Sequence, residues 1–393
     1  MLDQLPGYDQ PFSAGFYIHW PFCARKCPYC DFNSHVRARV DQDAWLKALS
    51  TEIETLHRLY PKLSITSVFF GGGTPSLMPA TTVAALLNLL DDRFGLSSGT
   101  EVTLEANPSS VEADRFKGYR AGGVNRLSMG FQSLRDDQLM FLGRLHSADE
   151  AKEALKVARS VFTSVSFDLI YALPNQTPDQ WRAQLGEALG FGPDHLSLYQ
   201  LTIEEGTAFW YKAKRGDLVI PGEDDASELY QLTDQLTKAA GLPAYEVSNH
   251  AVPGRESQHN LGYWRGSLYA AIGPGAHGRL PAPDFGAVAT VQIKRPEDWL
   301  KAVSQHGWGG AEIENVSREN RAVEQIMMGL RLSEGVDFRQ VRETFGRDLS
   351  QLIDDRRVNH LSAEGFLTVS PDRLTATDKG RLLLNHLVAE ILH

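Results

Sequence analysis

The stretch HWPFCARKCPYCDFNSH, residues 19–35, contains every cysteine of the chain: Cys23, Cys27 and Cys30. Three thiols within eight residues, and none in the other 385, is not how a fold distributes cysteine for packing. A disulfide would leave one thiol over. The C-x3-C-x2-C spacing lets one loop present several thiolates to a single centre. Zinc is one candidate for that centre, since His19 or His35 would complete a Cys3His set of four ligands. A cubane [4Fe–4S] cluster is the other, with three irons held by thiolates and one left open. Spacing alone leaves both standing.

The chain around this loop has 393 residues, 42% hydrophobic and 22% charged, an ordinary globular composition with room for two or three domains. A cysteine cluster of this kind fits a reducing compartment. No apolar run approaches the roughly 18 residues of a membrane span, and MLDQLPGYDQPFSAG lacks a basic-then-apolar signal pattern. The expectation is a cytoplasmic protein. A net charge of −10 disfavours a general nucleic-acid binder.

Outward from the loop, short apolar segments alternate with helix-period stretches. The apolar segments are FYIHW (16–20), ITSVFFGG (65–72), EVTLEAN (101–107), NRLSMGFQS (125–133), SVSFDLIYALP (164–174) and HLSLYQL (195–201). Between the first two, Trp45, Leu49, Ile53 and Leu56 fall on one face of a predicted helix. SADEAKEALKVARSVF opens with Ser147 and has Glu150 three residues on, the signature of a capping box. Six such alternations predict parallel strands joined by right-handed crossovers. Residues 250–310 read as loop-rich, punctuated by AVPGRES, IGPGAHG and LPAPDFG. Val323, Ile326, Met327 and Leu330 then form a helical stripe ended by Gly335, followed by two short helices, a hairpin from GFLTVS and DRLTAT, and a last helix to His393. That order suggests a winged helix. Residues 311–393 carry 11 Lys/Arg against 14 Asp/Glu, so the expected role is structural or partner-binding, not DNA reading.

FFGGGTPS (69–76) follows a strand, and its glycines let backbone groups approach a neighbour closely. It is neither a dinucleotide fingerprint nor a Walker loop.

The thiol triplet, the glycine run and Glu105 at a strand end resemble the radical S-adenosylmethionine (SAM) superfamily. YIHWPFCARKCPYCDF, FFGGGTPS, LEANP, RLSMGFQS, LGRLHS, FDLIYALPNQT, LSLYQLTIEEGT and MMGLRLSEGVD resemble, in order, the blocks of its oxygen-independent coproporphyrinogen III oxidase family. The resemblance implies a partial (β/α)6 TIM-like barrel over 1–206, a core extension with loop-rich connections over 207–310, and a mainly α winged-helix-like domain over 311–393. It implies that Cys23, Cys27 and Cys30 hold a [4Fe–4S] cluster whose open iron takes the amino and carboxylate groups of SAM. It also implies SAM contacts by Tyr17, Tyr29, Gly72, Gly73, Thr74, Glu105, Gln132, Arg144 and Asp168, with Thr202 matching by spacing only.

One departure separates two branches. The porphyrinogen-oxidising enzymes of that family carry a further cysteine two places after the third, where this chain has Phe32. Phe32, and a cluster motif within the first residues of the chain, resemble instead the HemW branch of haem chaperones. That branch carries H-N-x-x-Y-W, here His259, Asn260, Tyr263 and Trp264. The resemblance implies haem as cargo and His259 as a haem contact, while the residues read alone fit a hydrogen-bonded histidine at a packed junction. His277 and Met327–Met328 are weaker haem candidates, the pair being better placed for core packing. Implied partners are haem, haem-accepting proteins (respiratory and membrane-associated ones among them), an electron donor to the cluster and a second copy of the chain. Three readings therefore stand: a haem chaperone, a radical enzyme decarboxylating coproporphyrinogen III, and a zinc-stabilised α/β protein.

Overall fold

The computed structural model describes residues 5–283, 286–346 and 349–392. Six strands follow the predicted alternation: β1 (Phe12–Trp20), β2 (Leu63–Gly72), β3 (Glu101–Ala106), β4 (Arg126–Gln132), β5 (Ser164–Tyr171) and β6 (His195–Gln200). Each lies parallel to the one before it, in chain order. Their C-terminal ends therefore share one rim, where a β/α barrel places its chemistry.

The stretch 207–310 does more than connect. β7 (Asn249–Ala251) pairs antiparallel with β6, while β8 (Leu268–Ile272) pairs parallel with the free side of β1. β9 (His277–Leu280), β10 (Ala287–Gln292) and β11 (Gly310–Val316) continue from β8 as an antiparallel meander. The result is a sheet of eleven strands among the described residues, its parallel part a partial barrel. The meander was hidden in the sequence because its strands are short and the turns between them dominate the composition. One of those turns, LPAPDFG, lies partly outside the described residues, as does His393.

Helices cover the sheet. The helix Gln42–Leu59 is capped by the Asp41 carboxylate, which accepts from the Ala44 N–H at 3.1 Å, and it buries Trp45, Leu49, Ile53 and Leu56 as its period requires. Ser147 and Glu150 form the expected capping box of the helix Ala148–Val161. Trp45 stacks on Trp299 with centroids 5.1 Å apart and takes Trp20 and Phe22 edge-on at 5.7 and 5.0 Å. These rings form a packed aromatic floor beneath the start of the cysteine loop.

Glu52, on the same helix, is fully buried where the helix meets the meander. Its carboxylate accepts from the Gly309 N–H at 2.8 Å and the Gly273 N–H at 2.9 Å, so one side chain pins both ends of the added strands. Burial pushes its acid up to about 7, against the opposing pull of those two N–H groups.

β11 runs to Val316, and the helices of the C-terminal stretch follow from Ser317. Its first helix, Arg318–Gly329, buries Ala322 and Ile326, but Met327 points to solvent at 45% exposure, so the expected stripe is corrected there. The helix stops at Gly329. Gly335, with φ of 75°, instead turns the chain into the strand Val336–Asp337, where an added Cβ would sit 2.4 Å from the Leu374 carbonyl oxygen. That strand, Leu367–Val369 and Arg373–Ala376 make a three-stranded antiparallel sheet packed with the helices Phe338–Phe345, Asp355–Ala363 and Leu384–Ile391, a winged-helix arrangement with its own apolar core.

Glu52→Ala strands two buried N–H groups and is expected to cost about 2–5 kcal/mol. Glu52→Gln tests the pH term. With the folded acid raised from 4.5 to about 7, the stability it lends is complete below pH 4.5 and lost as pH rises through 7. The wild-type advantage over the Gln variant should therefore shrink between roughly pH 5 and about pH 8 in urea unfolding.

Candidate cofactor site

The cysteine loop leaves the C-terminal end of β1 and is clipped at its base by a two-residue parallel ladder, Phe22 opposite His35 and Cys23 opposite Val36. Asn33 fastens it to the meander, donating from its amide to the Pro274 carbonyl at 2.8 Å and the Lys294 carbonyl at 2.9 Å. The Asn33 carbonyl in turn lies 2.9 Å from His19 Nε2, so that nitrogen carries the proton. Nδ1 of His19 then accepts from the Tyr17 hydroxyl at 3.0 Å. Burial lowers this imidazole to about 4 and keeps it neutral. With both nitrogens taken, His19 has none for a metal. His35 Nε2 faces Asn33 Oδ1 at 3.1 Å.

The glycine run ends β2 directly under this loop. Gly73 N–H donates to the Trp20 carbonyl at 2.7 Å, and Thr74 N–H to the Phe22 carbonyl at 2.8 Å. A Cβ on Gly73 would sit 2.7 Å from the Phe22 carbonyl oxygen, and one on Gly72, whose φ is 112°, 2.5 Å from the His19 ring. The glycines are thus demanded first by neighbouring protein and only then by any ligand.

A cavity of about 670 Å3 opens above the rim of β2–β6. Cys23, Cys27, Cys30, Tyr29, Gly72, Gly73, Thr74, Glu105, Gln132, Arg144, Asp168 and Thr202 all line it. Glu105 accepts from the Gly72 N–H at 3.3 Å. Burial, reinforced by the charge of Asp168, raises Glu105 to about 8. Burial also raises Asp168 to about 7, against hydrogen bonding from Ser197 and the charge of Arg144. Two buried acids facing one cavity, both raised into the neutral range, can give up their protons to receive a cation. Gln132 adopts φ of 69°, a strained conformation for a side-chain-bearing residue that turns it back from the end of β4 into the cavity. Arg144 donates from Nη1 to Cys27 Sγ at 3.5 Å. Burial pushes the Cys23 and Cys30 thiols up, so a metal must displace their protons on binding.

Other expected residues lie elsewhere. Tyr17 is not among the lining residues: it stands behind the wall, stacked on Phe69 at 6.1 Å and bonded to His19. His259 lies outside the cavity lining. It is 4% exposed, with Nδ1 2.8 Å from the Ser67 hydroxyl and Nε2 3.0 Å from the Tyr263 hydroxyl, and its ring stacked on Phe69. Both of its nitrogens face hydroxyl groups. Trp264 meets the C-terminal unit through the Arg331 guanidinium, 5.3 Å from its ring centroid. His277 is exposed on β9, and neither it nor Met327–Met328 lines the cavity. Asn107, His146 and Tyr199 do line it. Their signal was present in LEANP, LGRLHS and LSLYQL, but no chemistry singled them out from those blocks.

Among the described residues, no group of three or more His, Cys, Asp or Glu side chains is gathered to hold a single metal ion. Three thiols on one cavity with Glu105 and Asp168 fit a cluster that keeps one iron open for a cationic cofactor. Sharing that iron with a cofactor is what radical SAM proteins do.

Comparison with known proteins agrees. Residues 17–185 match the profile of the Radical SAM superfamily, and residues 316–383 that of the HemN C-terminal domain. The heme chaperone HemW of Haemophilus influenzae is 37% identical over 95% of this chain and 96% of its own length. Radical S-adenosyl methionine domain-containing protein 1, mitochondrial, of Danio rerio is 38% identical over 99% of this chain and 89% of its own. The chain belongs to the radical SAM superfamily and, within it, to the family of these two proteins. The solved structure of coproporphyrinogen III oxidase (HemN) from Escherichia coli shares the fold, with a TM-score of 0.81 at 22% identity over 99% of this chain and 92% of its own.

His259→Ala leaves the Ser67 and Tyr263 hydroxyls without their partner and is expected to cost about 2–4 kcal/mol in urea unfolding. The cavity carboxylates give a second outcome. A cationic ligand favours their ionised forms, so SAM binding to cluster-loaded protein should tighten as pH rises through 7 and 8 and release protons at neutral pH. Calorimetry in buffers of different ionisation enthalpy measures that release.

Proposed function

We propose that this protein is a haem chaperone, binding haem and delivering it to acceptor haemoproteins, and that it carries a [4Fe–4S] cluster with SAM on the open iron. The observation that carries this reading is its full-length similarity to the heme chaperone HemW. Phe32 supports it. Its side chain, 59% exposed, lines the cavity beside Cys30, at the position where the porphyrinogen-oxidising branch places a further cysteine. A phenyl ring there offers a porphyrin an apolar face and a metal nothing.

In this reading Cys23, Cys27 and Cys30 hold the cluster, which when bound supplies an electron to SAM. Glu105 and Asp168 take up the positive charge of SAM, and Arg144 holds Cys27 while closing one wall. Thr74 and Gln132 set the floor and the far edge. Haem-accepting proteins and an electron donor complete the set of partners. Among the described residues no helix is long and apolar enough to cross a membrane.

Anaerobic reconstitution tests the reading. The expected product holds about four iron and four sulfide per chain, retains added haem through gel filtration, and forms no protoporphyrinogen from coproporphyrinogen III with SAM and reductant. Stoichiometric zinc without sulfide would sink the cluster. Turnover of coproporphyrinogen would move the chain to the oxidase branch.

A further inference from the structure

Along one wall of the cavity, Asn107 and Glu112, neither of them among the expected SAM contacts, join Thr74 and Arg144 in a polar relay. Glu112, 6% exposed, accepts from the Asn107 backbone N–H at 2.8 Å and from Asn107 Nδ2 at 3.3 Å, and also takes the Ser76 hydroxyl. Asn107 Nδ2 also points at Thr74 Oγ1, 3.4 Å away. With its amide nitrogen so engaged, Asn107 presents Oδ1 to Arg144, whose Nη2 donates to it at 2.5 Å and to the Gly130 carbonyl at 2.9 Å. Nη1 of the same guanidinium reaches Cys27 Sγ. Arg144 Nε is buried without a partner among the described residues, and Tyr29 also faces this guanidinium, so Asn107 and Gly130 aim it at the Cys27 and Tyr29 side.

We propose that Asn107 is a positioning residue for the cluster: it holds Arg144 on Cys27 and through that contact raises the cluster's reduction potential. The inference rests on the reading of Cys23, Cys27 and Cys30 as ligands of a [4Fe–4S] cluster. Reduction by an external one-electron donor adds one negative charge to the cluster, part of it on the thiolate sulfurs. A guanidinium hydrogen-bonded to one of those sulfurs stabilises the reduced form. Such partners beyond the ligands commonly tune a metal centre.

The side chain at 107 accepts from Arg144, which offers only donors, and donates to Glu112 Oε1 on its other side. Asparagine does both in one planar group. Aspartate would set a second carboxylate about 3.3 Å from the first, and leucine would answer neither. The requirement is specific to the amide.

The test is an EPR-monitored redox titration of reconstituted protein without SAM, comparing wild type with Asn107→Leu, Asn107→Ala, Arg144→Met and the double variant. The Asn107 variants are expected to keep wild-type iron and sulfide, with about tenfold less reduced cluster at a fixed potential, which is about 59 mV for a one-electron couple. Asn107→Leu added to Arg144→Met should lower the midpoint no further than Arg144→Met alone, since Asn107 acts through that guanidinium. An unchanged midpoint in a fully loaded Asn107 variant, or additive shifts in the double variant, would overturn the inference. So would loss of iron and sulfide from both Asn107 variants with native circular dichroism, which would make the residue a scaffold for the loop. Wild-type protein that takes zinc and no sulfide defeats the cluster reading itself, a result separate from these.

Discussion

The end of β2 passes beneath the start of the cysteine loop with no room for a methyl group between them. The crossing is made by two backbone hydrogen bonds, Gly73 to Trp20 and Thr74 to Phe22, and a Cβ on Gly73 would collide with the Phe22 carbonyl at 2.7 Å. Below it lies the aromatic floor of Trp20, Phe22, Trp45 and Trp299; above it lies the cavity. Because the chains touch here, the thiol loop and the backbone that faces it hold one fixed relation. The side chains on the ends of β3 to β6 then converge on the same space. A looser crossing would leave the cysteines on a mobile loop and the cavity open.

Burial does the second part of the work. Glu105 and Asp168 are enclosed by protein yet open on the cavity, and both are held protonated into the neutral range. An empty site therefore carries little negative charge and is not forced apart by repulsion. The charge appears when a cation arrives, which couples occupancy to proton loss. His19 and His259 are kept neutral by the same desolvation, and hydrogen bonds fix their rings. Both act as fasteners of the sheet.

This division explains what could be read from the sequence. The six parallel strands were legible because each is a segment rich in apolar residues set off by helical stretches, as the face of Trp45, Leu49, Ile53 and Leu56 shows. The cysteines, the glycines and Glu105 were legible because their chemistry is rare and their spacing tight. The meander β8–β11 was not, since strands such as His277–Leu280 span a single turn-to-turn interval. Nor were the places of Tyr17, His259 and Met327. Nothing in a sequence says whether a tyrosine one residue along a strand faces a cavity or its back wall, or whether a methionine on a helical stripe falls at its edge. Asn107 was quoted within LEANP, yet its double role depends on Arg144 and Glu112 arriving from two other elements.

Asn33 anchors the cysteine loop to carbonyls 241 and 261 residues further along the chain. During synthesis from the N-terminus, the thiols emerge long before the segments that fix their loop exist. Until Pro274 and Lys294 have left the ribosome and β8 has settled against β1, the loop has its ladder and its glycine crossing but not its tether. Contacts this distant in sequence close late in folding. The cysteine loop therefore reaches its final hold only after some three quarters of the chain has been made.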